Sequence, residues 1–176
     1  MKKFRLLLLD ANVVIVLCKL GIWGLVLEKC EVLLARTVLE VEAYYYEDEN
    51  GEKHYFDLQE DANSGRVQVV DVPLAHITAF LSLFKPLYVG GLDPGEKESL
   101  AYLYHAKDEH LICSGDKIVF RVLGALNRID QGISLEHLLQ KVGLTPKHLA
   151  HEFSEAYRIQ WTKNGQKEQF LGQALK

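Results

Sequence analysis

The chain opens on a short apolar run at Phe4–Leu9, the length of a buried strand. It then switches to helical spacing at Val13, Val14, Val16, Leu17 and Leu20 before Gly21 ends the pattern. The two patterns keep exchanging. Trp23–Lys29 reads as helix, residues 31–34 as a second strand, 67–72 as a third and Leu111–Cys113 as a fourth. Residues 73–84 carry Leu74, Ile77, Phe80, Leu81 and Phe84 at helical spacing, and Asp93-Pro94 opens a helix with Leu100, Leu103 and Tyr104 on one face. Residues 118–126 continue as helix after the fourth strand. This alternation predicts an α/β fold, a parallel sheet of four to five strands flanked by helices.

Two regions depart from the alternation. Thr37 stands in a cap position with Glu40 three residues on, and the helix it starts is expected to run through residues 44–46. Asn50-Gly51 is a tight-turn signal and 53–58 a short strand, so 47–66 is expected to form a mobile, hairpin-like insertion. From Gly132 the pattern becomes two short helices, 135–142 after Ser134 and 146–157 after Thr145, and the polar stretch 163–176 is expected to fray. The predicted organisation is an α/β domain over 1–130 and a C-terminal helical extension over 131–176. The Gly143-Leu-Thr-Pro link fits a plain helix connection as well as a DNA-binding helix-turn-helix.

At 176 residues, 48% apolar and 25% charged, the chain has the size and balance of one globular core, which excludes disordered and fibrous classes. The net charge of −4 is uneven: 14 Lys and Arg face 20 Asp and Glu over 1–130, against 6 and 4 in the remainder. An acidic body does not attract nucleic acid by itself, so a polyanionic substrate would need bound cations. Cys18, Cys30 and Cys113 form no CxxC pair and read as reduced core residues. Asp10 and Asn12 break the N-terminal apolar run and Lys19 the next one, so no signal peptide or membrane span is expected and the location is expected to be cytoplasmic.

The informative chemistry is the placement of acids. Asp10 ends the first strand, Glu40 follows the second, Glu96 lies near the start of the helix before the fourth, and Asp116 follows the fourth. Each alone is explained as a helix cap, and Glu40 also by its capping-box spacing. Jointly they predict a carboxylate cage for Mg²⁺ or Mn²⁺, because ligands of parallel sheets collect beyond the carboxyl ends of the strands. Glu96 and Glu98 lie about 200° apart around a helix, so only one of them faces such a site. Glu96 shares the stripe of Leu100, Leu103 and Tyr104 and is assigned to it, which leaves Glu98 on the surface. Tyr44, Tyr45 and Tyr46 offer rings for base stacking. An aspartyl phosphotransferase would need a second Asp where Asn12 stands, and His148, His151 and Glu152 lack the HExxH spacing.

In order, strand–Asp10–helix, strand–Thr37-Val-Leu-Glu40, Gly95-Glu96-Lys-Glu98 and strand–Ser114-Gly-Asp116 resemble the PIN-domain family over about residues 4–126. The resemblance implies a metal-dependent ribonuclease of single-stranded RNA, with Asp10, Glu40, Glu96 and Asp116 as catalytic acids and ligands of Mg²⁺ or Mn²⁺. Asn12, Ser114 and Glu98 take supporting positions. Many bacterial and archaeal members are VapC-type toxins, which implies an antitoxin protein as partner and makes a homodimer plausible. A catalytically silent PIN-like module binding RNA or a partner protein is the alternative. The 47–66 insertion departs from the family pattern.

Overall fold

A computed structural model of the chain describes residues 4–106, 110–145 and 148–176, with backbone alone at 5–7. β1 (Phe4–Leu9) runs into α1 (Ala11–Lys19) and α2 (Trp23–Lys29), and β2 (Cys30–Ala35) leads to a π-helical turn, Val38–Glu42. β3 (Tyr45–Glu47), β4 (Lys53–Tyr55) and α3 (Leu58–Asn63) follow, then β5 (Val67–Val70), α4 (Leu74–Leu81), α5 (Pro86–Val89) and α6 (Pro94–His105). The chain closes with β6 (Leu111–Cys113), α7 (Lys117–Ala125), β7 (Gly132–Ile133), α8 (Leu135–Lys141) and α9 (Glu155–Phe170).

Five strands form one parallel sheet in the order β5-β2-β1-β6-β7, flanked by helices, so the chain adopts the predicted α/β class. β1 lies in the middle, with Leu8 and Leu9 at 0% exposure, which is why its residues 6–9 are continuously apolar instead of alternating. Leu33 and Leu34 of β2, Ile112 of β6, Leu100 and Leu103 of α6 and Phe120 of α7 complete the centre of the core. The chain moves outward from β1 to β2 and β5, then returns to the other side of β1 for β6. That reversal opens a crevice beyond the carboxyl ends of β1 and β6, the place where parallel sheets bind ligands.

Residues 44–46 do not extend a helix. Tyr45 pairs with Tyr55 and Tyr46 with His54 in the antiparallel β3–β4 hairpin. Two interactions outweigh helical propensity here. Asp48 Oδ1 accepts the N–H groups of Asn50 and Glu52, both at 2.9 Å, and Gly51 takes the left-handed φ of 80° that the turn requires. Cross-strand ring contacts then hold the two strands together. The strand expected over 53–58 ends at Tyr55, because Asp57 caps α3 by accepting the Gln59 N–H at 2.8 Å.

The C-terminal segment also differs from expectation. The predicted helix start at 146–147 lies outside the described residues. After a 3₁₀ turn, His151–Phe153, Ser154 caps α9, and the helix runs on to Phe170, so residues 163–170 are helical and not frayed. Packing supplies what the polar sequence lacks: α9 lies along α7, and Gly165 sits so close to the Arg121 backbone that a Cβ would collide with it. β7 extends the main sheet by pairing Gly132 with Ile112 and Ile133 with Cys113, so the sheet continues across residues 130–131. Among the described residues no single helix is long and apolar enough to cross a membrane; α1 and α2 reach that length only as a pair bent by 115°, and their apolar residues Val13, Val14, Leu17 and Val26 are buried.

Candidate functional site

Asp10 is the first residue beyond β1, and its N–H donates to the Cys113 carbonyl of β6 at 3.1 Å, so the ends of the two neighbouring strands are tied together. Its side chain is buried. Ser114, fully buried after β6, donates from Oγ to Asp10 Oδ2 at 3.0 Å and accepts the Asp116 N–H at 2.9 Å. One hydroxyl therefore fixes both the first acid and the turn that presents the last. Asp116 Oδ1 accepts the Ile118 N–H at 2.9 Å and caps α7. Gly115 between them packs against Phe153, whose ring edge would lie 2.6 Å from a Cβ.

Glu96 comes from the first turn of α6, where its Oε2 accepts the Asp93 N–H at 2.9 Å. It is buried and faces Asp10 and Asp116, as its stripe on the helix predicts. The second acid is not Glu40. Glu40 is exposed and pairs with Arg36 one turn earlier at 3.0 Å, while Arg36 also reaches Asp71 at 3.0 Å. Nor does Thr37 form the expected capping box, because it is already in helical geometry with φ −61° and makes no side-chain cap bond. Glu42, at the end of the π-helical turn, approaches Asp10 instead and is held by the Gly95 N–H, which donates to Oε1 at 2.9 Å. Gly95 leaves no room for a Cβ beside the Glu42 carboxylate and Val38. A signal for Glu42 did exist in the sequence: it lies three and four residues after Leu39 and Val38, both buried, whereas Glu40 lies four after Arg36.

Glu98 is not on the surface. It is buried, and its carboxylate accepts the Thr37 N–H at 3.0 Å and the Val72 N–H at 3.3 Å, tying together the chain beyond β2 and β5. Asn12, in the first turn of α1, is exposed and lines the cleft over Asp10. This cleft, of about 660 Å³, is lined by Asp10, Asn12 and Glu42 together with Tyr44, Tyr45 and Tyr46.

The electrostatics are those of buried like charges. Burial pushes the Asp10 carboxyl up from 3.8 to about 6, against hydrogen bonds from Ser114 and the Ala11 N–H, and the negative charges of Glu42 and Asp116 push the same way. Burial raises Glu96 from 4.5 to about 8, with repulsion from Asp10 next and from Asp116 a smaller addition. Among the described residues no ion pair joins Asp10, Glu42, Glu96 or Asp116 to a Lys, Arg or His. Carboxylates buried at Asp10 and Glu96 and half-buried at Glu42 and Asp116, each anchored by a hydrogen bond and with no counter-charge among the described residues, fit a hard divalent cation. Among the described residues, the ligand atoms that close to within 4.8 Å of one another lie elsewhere, on Asp48, Glu52 and His54 of the hairpin. There the Asp48–His54 pair at 3.1 Å and the turn hydrogen bonds already account for the cluster.

No family model matches the chain, and no curated protein or solved structure does either.

Proposed function

We propose that the chain is a metal-dependent endoribonuclease that hydrolyses phosphodiester bonds of single-stranded RNA, working at the crevice beyond β1 and β6. The observation that carries this reading is the convergence of Asp10, Glu42, Glu96 and Asp116 from four separate stretches of chain, Asp10 and Glu96 buried, Glu42 and Asp116 half-buried, with no cationic partner among the described residues. Asp10 and Asp116 are the direct ligands of Mg²⁺ or Mn²⁺ in this proposal, with Glu42 and Glu96 completing the carboxylate set. The ion supplies charge neutralisation on the phosphate and a lowered pKa for water.

The chain's own residues do the positioning. Ser114 holds the Asp10 carboxylate in one rotamer and fixes the 114–116 turn. The Gly95 N–H aims Glu42, and the Asp93 N–H aims Glu96. A toxin role would add an antitoxin protein that covers this acidic crevice, and co-purification with the product of an adjacent small gene is its test.

The deciding experiment is incubation of the purified chain with end-labelled single-stranded RNA in Mg²⁺, in Mn²⁺ and in EDTA. Cleavage that EDTA stops and that Asp10→Ala abolishes supports the nuclease. Full activity of Asp10→Ala, or no cleavage with either ion, rejects it.

A further inference from the structure

We propose that the β3–β4 hairpin is the substrate-gripping element of this site: unpaired bases next to the scissile phosphate stack on the exposed ring of Tyr44, which the hairpin holds at the edge of the cleft. The inference rests on the nuclease reading for where the phosphate lies, and its own content is what holds the bases.

Three observations carry it. Tyr44, Tyr45 and Tyr46 line the same cleft as Asp10, Asn12 and Glu42, so aromatic and acidic residues border one space. A nucleotide has both complements, a planar apolar base and an anion that a cation can join to carboxylates. The Tyr44 ring is also left available, 51% exposed, whereas Tyr45 and Tyr46 are half-buried. Exposed aromatic rings gathered beside a cleft mark a binding surface more often than a packing one.

Tyr44 meets the edge of Tyr45 at 4.9 Å and lies stacked with Tyr55, with centroids 6.5 Å apart and planes at 27°, so its ring is braced before any ligand arrives. Tyr46 stacks on His54 at 4.9 Å and 14°. The Phe56 N–H donates to the Tyr44 carbonyl at 3.1 Å and fixes the base of the hairpin. Lys53 places its ammonium 4.4 Å from the Tyr45 ring centroid, so a cation covers the ring next to Tyr44. A phosphate flanking the stacked base meets that ammonium. Tyrosine faces accept any base, so the hairpin gives grip and strand preference, with single strands favoured because their bases are free to unstack.

The test uses the intact chain in Ca²⁺ and in EDTA at low ionic strength. It measures binding of a fluorescent eight-residue oligoadenylate against the same backbone with abasic central positions, and against a duplex of the same length. The expected result is roughly tenfold weaker binding of the abasic strand and of the duplex. Tyr44→Ala should weaken the intact strand by a similar factor and shrink the penalty for removing the bases, while Tyr44→Phe keeps wild-type affinity. Equal affinity for intact and abasic strands overturns the proposal and leaves the Tyr44 ring to a protein partner. So does undetectable binding of the intact strand, or a base penalty that Tyr44→Ala leaves unchanged. The abasic comparison on the wild-type chain decides the matter even if a variant fails to fold. Stacking without cleavage in any metal supports the proposal while rejecting the nuclease. Cleavage without a base penalty does the reverse.

Discussion

Glu40 and Glu42 lie two residues apart and do opposite things, because the Val38–Glu42 turn sends one carboxylate outward to Arg36 and the other inward toward Asp10. Replacing Glu42 by Ala should therefore lower the cleavage rate about 10- to 100-fold, the usual cost of losing a group that orients a metal site. Glu40→Ala should leave the rate nearly unchanged, and initial rates on labelled RNA separate the two. Asp10 and Asp116 are legible in the sequence because an acid directly after an apolar strand needs no tertiary knowledge to place. Glu42 is not, because the T-x-x-E spacing favours Glu40 and the phase of the turn shows only through the burial of Val38 and Leu39. Glu96 makes a second prediction. Its carboxyl is raised to about 8 and that of Asp10 to about 6, so the folded chain keeps protons that the unfolded chain releases from about pH 4 upward. The folded state binds more protons at these two groups through this window, so their contribution to stability without metal falls as pH rises from about 4 to 8. This is the reverse of the behaviour of a carboxylate with a depressed pKa. Thermal melts in EDTA should show the fall, and Glu96→Gln should flatten it.

At the scale of elements, the sheet and its helices follow from strand-length apolar runs and helical spacing, whereas the elements around the site depend on long-range partners. The helix expected over 44–46 is a strand because Tyr45 and Tyr46 find Tyr55 and His54, eight to ten residues away, and local periodicity carries no trace of such pairing. Glu98 shows the same limit. Its place between the Thr37 and Val72 N–H groups is set by where β2 and β5 end, not by its own neighbours. It acts as a staple between segments. Glu98→Ala leaves the buried Val72 N–H without its acceptor and should cost about 2 kcal/mol or more of stability, while Glu98→Gln, which retains one acceptor oxygen, should cost less. Urea unfolding measures both. A stability loss confined to the level of an exposed residue would show that water replaces the carboxylate.

Over the whole molecule, the acids lie where the sheet changes direction, and their placement depends on the C-terminal segment as well as on the first 130 residues. Phe153 packs under Gly115, α9 lies along α7, and the tail returns to Leu83 and Lys85 through hydrogen bonds of 3.0 and 2.9 Å from Lys176 and to Ala174. Removing residues 131–176 strips β7 from the sheet and α9 from α7, so the truncated chain should lose cooperative unfolding by circular dichroism. The intact fold thus holds several buried negative charges together against their repulsion. A ligand that binds only this folded arrangement stabilises it by mass action, about 2.7 kcal/mol at a hundredfold excess over its dissociation constant. Protons compete with a divalent cation for these carboxylates, so the stabilisation must grow with pH across the window in which Asp10 and Glu96 ionise. Melting with Mn²⁺ or Mg²⁺ should therefore show a larger upward shift near pH 8 than near pH 5. In Asp10→Asn the shift should nearly disappear, although that chain, relieved of one buried charge, should melt higher than wild type in EDTA. An equal shift at both pH values would mean that the ions bind elsewhere, with the exposed Asp48, Glu52 and His54 cluster the first place to look.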